Sequence, residues 1–212
     1  MFDCDGVILN SNGVKREAMY QSALSYGAEN ASRLAEFHGE NGGISRELKF
    51  RWFLSEIMGF TGSVEEKIAE LKRTYRKHIW SGLLNCEEAA GIREILVTLR
   101  SQEVSLLVVS GAEQDELREI LEERDLARMF DGVYGAPNTK DEILARETDS
   151  GAIIRPSIFF GDSRYDYEAA SRAGLDFVFV YGWTDVVDWR SFVVGNGINA
   201  TATVADALRP CG

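Results

Sequence analysis

From Val104 onward the chain alternates short apolar runs with stretches of helical spacing, and this alternation restricts the fold more than any other feature. Val104–Val109 is an apolar run ending at Ser110-Gly111, followed by Glu113–Glu123 with Leu117, Ile120 and Leu121 at helical spacing. Gly132–Tyr134 reads as a weak strand, and Thr139 as the cap of a helix through Ile143 and Leu144. Ser157–Phe160 reads as a strand ending at Gly161-Asp162, Tyr165–Ala173 as a helix closed by Gly174, and Phe177–Val180 as a further strand. Strands and helices in strict alternation build a parallel sheet covered by helices. In such sheets ligands sit at the carboxyl ends of the strands. Ser110 and Asp162 are both expected there.

The first half reads differently. Between Gly6 and Val104 lie 97 residues, whereas a parallel crossover needs about a dozen or somewhat more. Phe50, Phe53, Leu54, Ile57 and Met58 form one apolar stripe of helical period, and Ile68, Leu71, Tyr75 and Ile79 a second. Both stripes are expected to be packing surfaces. A helix over about Ala89–Arg100 leads into the strand at Val104. The surplus, roughly 70 residues beyond an ordinary crossover, predicts a helical insertion after the first strand, over the carboxyl edge of the sheet, where it can act as a lid. The tail from Trp183 reads as a helix, a short strand near Asn199–Thr201 and a closing turn at Gly212.

Chemistry-bearing residues fall at the predicted strand ends. Asp3 and Asp5 are two apart, so they share one side if the strand continues. Two such carboxylates can divide labour, one ionised and attacking, one neutral and delivering a proton. Gly6 lets the backbone turn and come close to an anion. The alternative is an acidic turn after an edge strand. Ser110 with Gly111 offers a hydroxyl and N–H groups to a phosphate oxygen, or a plain helix cap. Lys140 opposes the dipole of the helix it begins, which suggests another task, such as neutralising phosphate; a solvated lysine is the plainer reading. Asp162 and Asp166, four apart across a strand-to-helix turn, would converge opposite Asp3 in a hard oxygen site suited to Mg²⁺, or serve as a helix cap and an exposed acid.

Taken together, these residues resemble the haloacid dehalogenase-like superfamily over essentially the whole chain, in its phosphoglycolate phosphatase and beta-phosphoglucomutase-like branch. Asp3-Cys4-Asp5-Gly6, Ser110, Lys140 and Gly161-Asp162-x-x-x-Asp166 are similar to its four motifs, in order. The resemblance implies an α/β fold with a Rossmann-like parallel sheet, helices on both faces and an inserted all-helical cap: residues 1–13 and 87–212 as core, 14–86 as cap. True dehalogenases lack the second Asp of the first motif and P-type ATPases carry Thr there, so Asp5 implies phosphoryl transfer. Asp3 is then the nucleophile that forms an aspartyl-phosphate, and Asp5 the acid and base. Gly6, Ser110, Gly111 and Lys140 bind phosphate. Mg²⁺ is held by Asp3, the Asp5 carbonyl, Asp162 and Asp166. The expected substrate is a small phosphorylated metabolite; the alternatives are a phosphomutase, or a binding protein that keeps the fold without catalysis.

In the insertion, Ser45 is expected to cap a helix and to set N–H groups beside Arg46, a corner that can hold an anion. This corner is similar to the cap of beta-phosphoglucomutases, where an arginine holds a second phosphate; an exposed surface arginine is the commoner use of such a residue. Lys15, Arg16 and His38 are further candidates for contact with substrate. Only Met1 and Phe2 precede Asp3, where strands run about five or six residues. A charged amino terminus about 7 Å from the nucleophile's Cα would be costly inside a sheet, so a start upstream of Met1 is expected.

Composition narrows the partners. The 23 basic residues against 34 acidic ones give a net charge of −11, which repels nucleic acid. No apolar run approaches membrane-spanning length, and no basic-then-apolar leader opens the chain. Cys4, Cys86 and Cys211 are distant and odd in number, so no disulfide framework is expected and a reducing cytoplasm fits. His38 and His78 stand apart from any zinc-type cluster and read as surface or packing residues. The sequence leaves the oligomeric state open.

Overall fold

A computed structural model describes residues 1–208; Cys211 and the closing turn expected at Gly212 lie outside the described residues. The sheet is parallel. Strand β1 (Leu107–Glu113) pairs with β2 (Gly132–Ala136), and β3 (Ile158–Gly161) with β4 (Asp176–Val180) and β5 (Asn199–Thr201). The two groups are joined by the amino-terminal residues: Phe2 bridges Val108 on one side and Phe160 on the other, both in parallel. Its N–H donates to the Leu107 carbonyl at 2.9 Å, and its own carbonyl accepts from Val109 N at 2.9 Å. The order across the sheet is therefore β2, β1, Met1–Asp3, β3, β4, β5. The Met1 amino group donates to the Ile158 carbonyl at 2.8 Å, and burial pulls it down to about 5.

Helices cover both faces, and alternate strand residues divide between them. Leu107, Val109 and Phe159 pack with Ile143 and Leu144 of α7 (Lys140–Asp149) and Ala169 and Ala170 of α8 (Arg164–Arg172). Phe2, Val108 and Phe160 join a second core with Ile92 and Leu96 of α5 (Ile92–Ser101), Leu117, Ile120 and Leu121 of α6 (Gln114–Glu123), and Val204 of α10 (Val204–Leu208). Capping boxes start two of these helices. Thr139 and Glu142 exchange bonds at α7, Ser163 and Asp166 at α8.

The insertion is all helical: α1 (Asn12–Ala23), α2 (Ala28–Glu40), α3 (Arg46–Trp52), a π-helical turn over Phe53–Ile57, and α4 (Glu65–Asn85). Phe50, Phe53 and Leu54 of the first stripe are fully buried, and so are Leu71, Tyr75 and Ile79 of the second. Each such side chain contributes about 1.5–3 kcal/mol relative to exposure. The π turn, closed by Met58 N donating to Phe53 O at 3.1 Å, keeps the stripe on one face as the helix ends.

Four sequence expectations shift. Val104 lies in a turn bonded to Leu99, so the strand begins at Leu107, and it runs past Ser110 to Glu113 across an irregularity in the β1–β2 ladder. The first strand stops at Asp3, because Gly6 (φ +75°) turns the chain and its N–H donates to Leu9 O. The helix expected from Ala89 starts at Ile92. The tail holds α9 (Trp189–Asn196) and β5 as expected, then α10, which the sequence pattern did not announce. Cys4 and Cys86 are free thiols, and no described helix is long and apolar enough to cross a membrane.

Candidate active site

The carboxyl end of the central strands opens into a cavity of about 60 Å³ between sheet and insertion. Asp3, Asp5, Gly111, Asp162 and Ser163 line it from the sheet side, and Lys15, His38, Gly43, Arg46 and Lys49 from the insertion. Such a volume holds a few water-sized groups.

Asp3 is the last residue of the central segment, 3% exposed, and Cys4 N donates to its Oδ1 at 2.7 Å. Lys140 Nζ lies 3.0 Å from Asp3 Oδ2 and also bonds Asp166 Oδ1. This explains a cation at the start of α7: its partners are across the sheet, and the capping box stabilises the helix end. Asp166 Oδ2 accepts from Ser163 N at 3.0 Å and Ser163 Oγ at 2.7 Å, which fixes it at the first turn of α8. Asp162 accepts from Asn12 Nδ2 at 2.8 Å.

Asp3, Asp162 and Asp166 each place a carboxylate oxygen within 4.8 Å of the others. All three are buried, and among the described residues the ammonium that bonds the cluster is that of Lys140. Burial pushes Asp3 up to about 7, and the Asp166 and Asp5 charges reinforce it against the pull of Lys140. Burial, then the Asp3 and Asp166 charges, drives Asp162 well above the carboxylate range. Three acidic oxygens with too little positive charge suit a hard divalent cation such as Mg²⁺. Gly6 makes room for this cluster, since a Cβ there would lie 2.1 Å from Asp162 Oδ2.

Asp5 is turned away from Asp3's partners. Ser11 Oγ donates to its Oδ1 at 2.6 Å, Lys15 Nζ bonds its Oδ2, and Ser110 Oγ lies 3.5 Å from the same oxygen. Burial would raise Asp5, but the Lys15 ammonium and the two hydrogen bonds outweigh it and hold the carboxyl below its ordinary range. Ser110 caps no helix; it is fully buried beside Asp5. Gly111 lets the insertion approach, because a Cβ there would meet Gly43 O at 2.3 Å.

The remaining candidates separate. Lys15 and His38 face the cavity. Arg16 is exposed and bonds Asp185 Oδ1 at 2.5 Å, outside the cavity lining. Ser45 does cap α3, accepting from Leu48 N. Arg46, read as an exposed side chain or an anion clamp, is not exposed but buried on the cavity wall: its guanidinium bonds Glu116 of α6 at 2.6 and 3.3 Å and stacks 4.1 Å over Tyr75. His78 is exposed, as read.

Sequence reasoning passed over Ser11, Asn12 and Lys49. The first two lie in a polar run directly after Val7–Leu9, a visible signal. Lys49 stands three residues after Arg46, on the face of α3 that buries Phe50 and Phe53. A charged residue on a buried stripe is the signal that could have found it.

Several known proteins are similar to this chain. A phosphorylated carbohydrates phosphatase of Thermotoga maritima is 26% identical over 84% of this chain and 82% of its own length. A phosphoglycolate phosphatase of Photorhabdus laumondii is 24% identical over 86% of this chain and 80% of its own. The solved structure of a hydrolase from Pseudomonas syringae superposes with a TM-score of 0.77, at 17% identity, over 98% of this chain and 94% of that one. The family model of haloacid dehalogenase-like hydrolases matches residues 1–180, and with strand-end carboxylates and an inserted helical layer in place the chain belongs to that family.

Proposed function

We propose that this protein is a Mg²⁺-dependent phosphomonoester hydrolase acting on a small phosphorylated metabolite, with residues 14–86 as its cap. The observation that supports it most is the meeting of Asp3, Lys140, Asp162 and Asp166 at the carboxyl end of the central strands, where Asp3 and Asp162 share a cavity with Asp5. The two relatives above carry phosphatase names, and both cover most of the chain.

In this reading an Asp3 carboxylate oxygen attacks phosphorus in line, and the ester P–O bond breaks as the aspartyl–phosphorus bond forms. Asp5 hands a proton to the departing alkoxide. It then takes one from the water that attacks the phosphoryl group, releasing phosphate and regenerating Asp3. Two easier steps replace one difficult one. Asp5, held ionised by Lys15 and Ser11, is set for the second step. For the first it must carry a proton, and the negative phosphoryl group arriving beside it favours the protonated form. Lys140 neutralises charge on the phosphoryl oxygens, and Ser110 and the Gly6 turn shape the pocket around them. Asp3, Asp162, Asp166 and the Asp5 carbonyl would hold Mg²⁺, which when bound offsets the negative charge of the phosphoryl group.

A mutase needs a second phosphate at Arg46, but that guanidinium is turned onto Glu116. Against a binding protein without catalysis stands the pairing of the first segment on both sides, with Asp3 N donating to Phe160 O at 2.9 Å. The test is phosphate release from a panel of small phosphomonoesters with Mg²⁺ and with EDTA, alongside isomer formation from sugar phosphates. Mg²⁺-dependent release supports the reading. Isomer formation without release, or no turnover by folded protein, overturns it.

A further inference from the structure

Four buried cations line the cavity or its wall, and three of them are matched by carboxylates: Lys15 by Asp5, Arg46 by Glu116, and Lys140 by Asp3 and Asp166. Lys49 is 2% exposed and lines the same cavity, but among the described residues no carboxylate lies at ion-pair distance from it. Its Nζ sits 3.0 Å from His38 Nδ1 and 3.4 Å from His38 O. His38 is itself kept neutral, because burial and then the Lys49 charge push its ring well below the usual range. A buried ammonium with only neutral partners is costly, and one fixed on a cavity wall is an anion site. Asp5 and Asp185 act on it only from beyond ion-pair distance, so an anionic group of the substrate is the partner it lacks.

We infer that Lys49, backed by His38, determines substrate choice by holding a second anionic group, carboxylate or phosphate, on the phosphomonoester. This rests on the hydrolase reading for its first phosphate, which goes to Asp3 and Lys140. Arg46 then serves to position α3: its charge is cancelled by Glu116, and through the helix it holds Lys49 toward the cavity. The small cavity keeps the two anionic groups of the substrate close together, a few atoms apart. His38 is a positioning residue, since it touches Lys49 from behind.

The test uses non-hydrolysable ligands, so that it does not depend on turnover. Binding of phosphonoacetate, methylenediphosphonate and ethylphosphonate to the full chain is measured by calorimetry in Mg²⁺ buffer, with wild type, Lys49→Met and Lys49→Gln. Wild type is expected to bind one of the two-headed ligands at least about tenfold more tightly than ethylphosphonate, equivalent to about 1.4 kcal/mol. Which of the two gains identifies carboxylate or phosphate. Both variants are expected to fold, because replacing an unpaired buried charge by an apolar or neutral group is often neutral or stabilising. They are expected to bring the two-headed ligands down to the affinity of ethylphosphonate. A wild type without preference, or variants that keep it, overturns the inference. Lost preference in the variants with no phosphate release from any ester overturns the hydrolase reading alone.

Discussion

Removing either partner of the Arg46–Glu116 pair is expected to destabilise the protein severely, and removing both is not. The pair joins α3 of the insertion to α6 of the sheet layer, with side chains 7% and 4% exposed and bonds of 2.6 and 3.3 Å. Arg46 Nε has no partner, so the guanidinium depends on Glu116 and on the face of Tyr75 4.1 Å away. Breaking a buried pair leaves an uncompensated charge and costs about 3–5 kcal/mol. For a chain of this size that lowers the melting temperature by roughly 6–20 °C, at about 2–4 °C per kcal/mol. Replacing both by apolar groups removes the desolvation penalty with the attraction. The double variant forfeits the cation–π contact, about 2 kcal/mol at most for a desolvated site. Urea unfolding followed by far-ultraviolet circular dichroism on Arg46→Met, Glu116→Leu and the double variant measures the coupling. The double variant is expected within about 2 kcal/mol of wild type. Additive losses, or a single-variant cost below about 1 kcal/mol, would refute the claim that these two charges depend on each other.

Gly6→Ala strains the backbone at φ +75° by about 1–2 kcal/mol and drives Asp162 aside, so the rise in melting temperature on adding Mg²⁺ should vanish; a retained rise would contradict the assigned cluster. Lys15→Met removes the ammonium that holds Asp5 low, so the acidic limb of the pH–rate profile should move to higher pH; an unmoved limb would show that Asp5 is not the group titrating. Lys49 is pulled down to about 7, by burial first and the Lys15 charge second, against the opposing pull of Asp5 and Asp185. Between about 7 and its unfolded value near 10.5 the unfolded chain holds more protons than the folded one. Stability relative to Lys49→Met should therefore rise with pH across that window, by up to about 1.4 kcal/mol per pH unit, and a flat difference in urea midpoints would contradict it.

What could be read from the sequence followed from local pattern. Alternating apolar runs located β1 through β4 and placed Asp162 just past a strand end, because sheet and helix periods are written in neighbouring residues. Lys140 was legible as an oddity for the same reason: a cation at a helix start conflicts with the dipole. Residues whose roles depend on distant partners were not legible. Arg46 could be placed at a capped helix start, yet Glu116, seventy residues on, decides that it is buried. Asp5 could not be oriented, since the turn at Gly6 takes it off the strand and into the reach of Ser11 and Lys15. Lys49 was hidden within a stripe read as packing, and its significance appears only when the carboxylates around the other three cations are counted.

The claim that Asp3 is the nucleophile is tested most directly by phosphate release from the best phosphomonoester, comparing wild type with Asp3→Asn at equal fold content by circular dichroism. The account predicts Mg²⁺-dependent release by wild type, abolished by EDTA, and none above background from Asp3→Asn. Release from Asp3→Asn at the wild-type rate would contradict it.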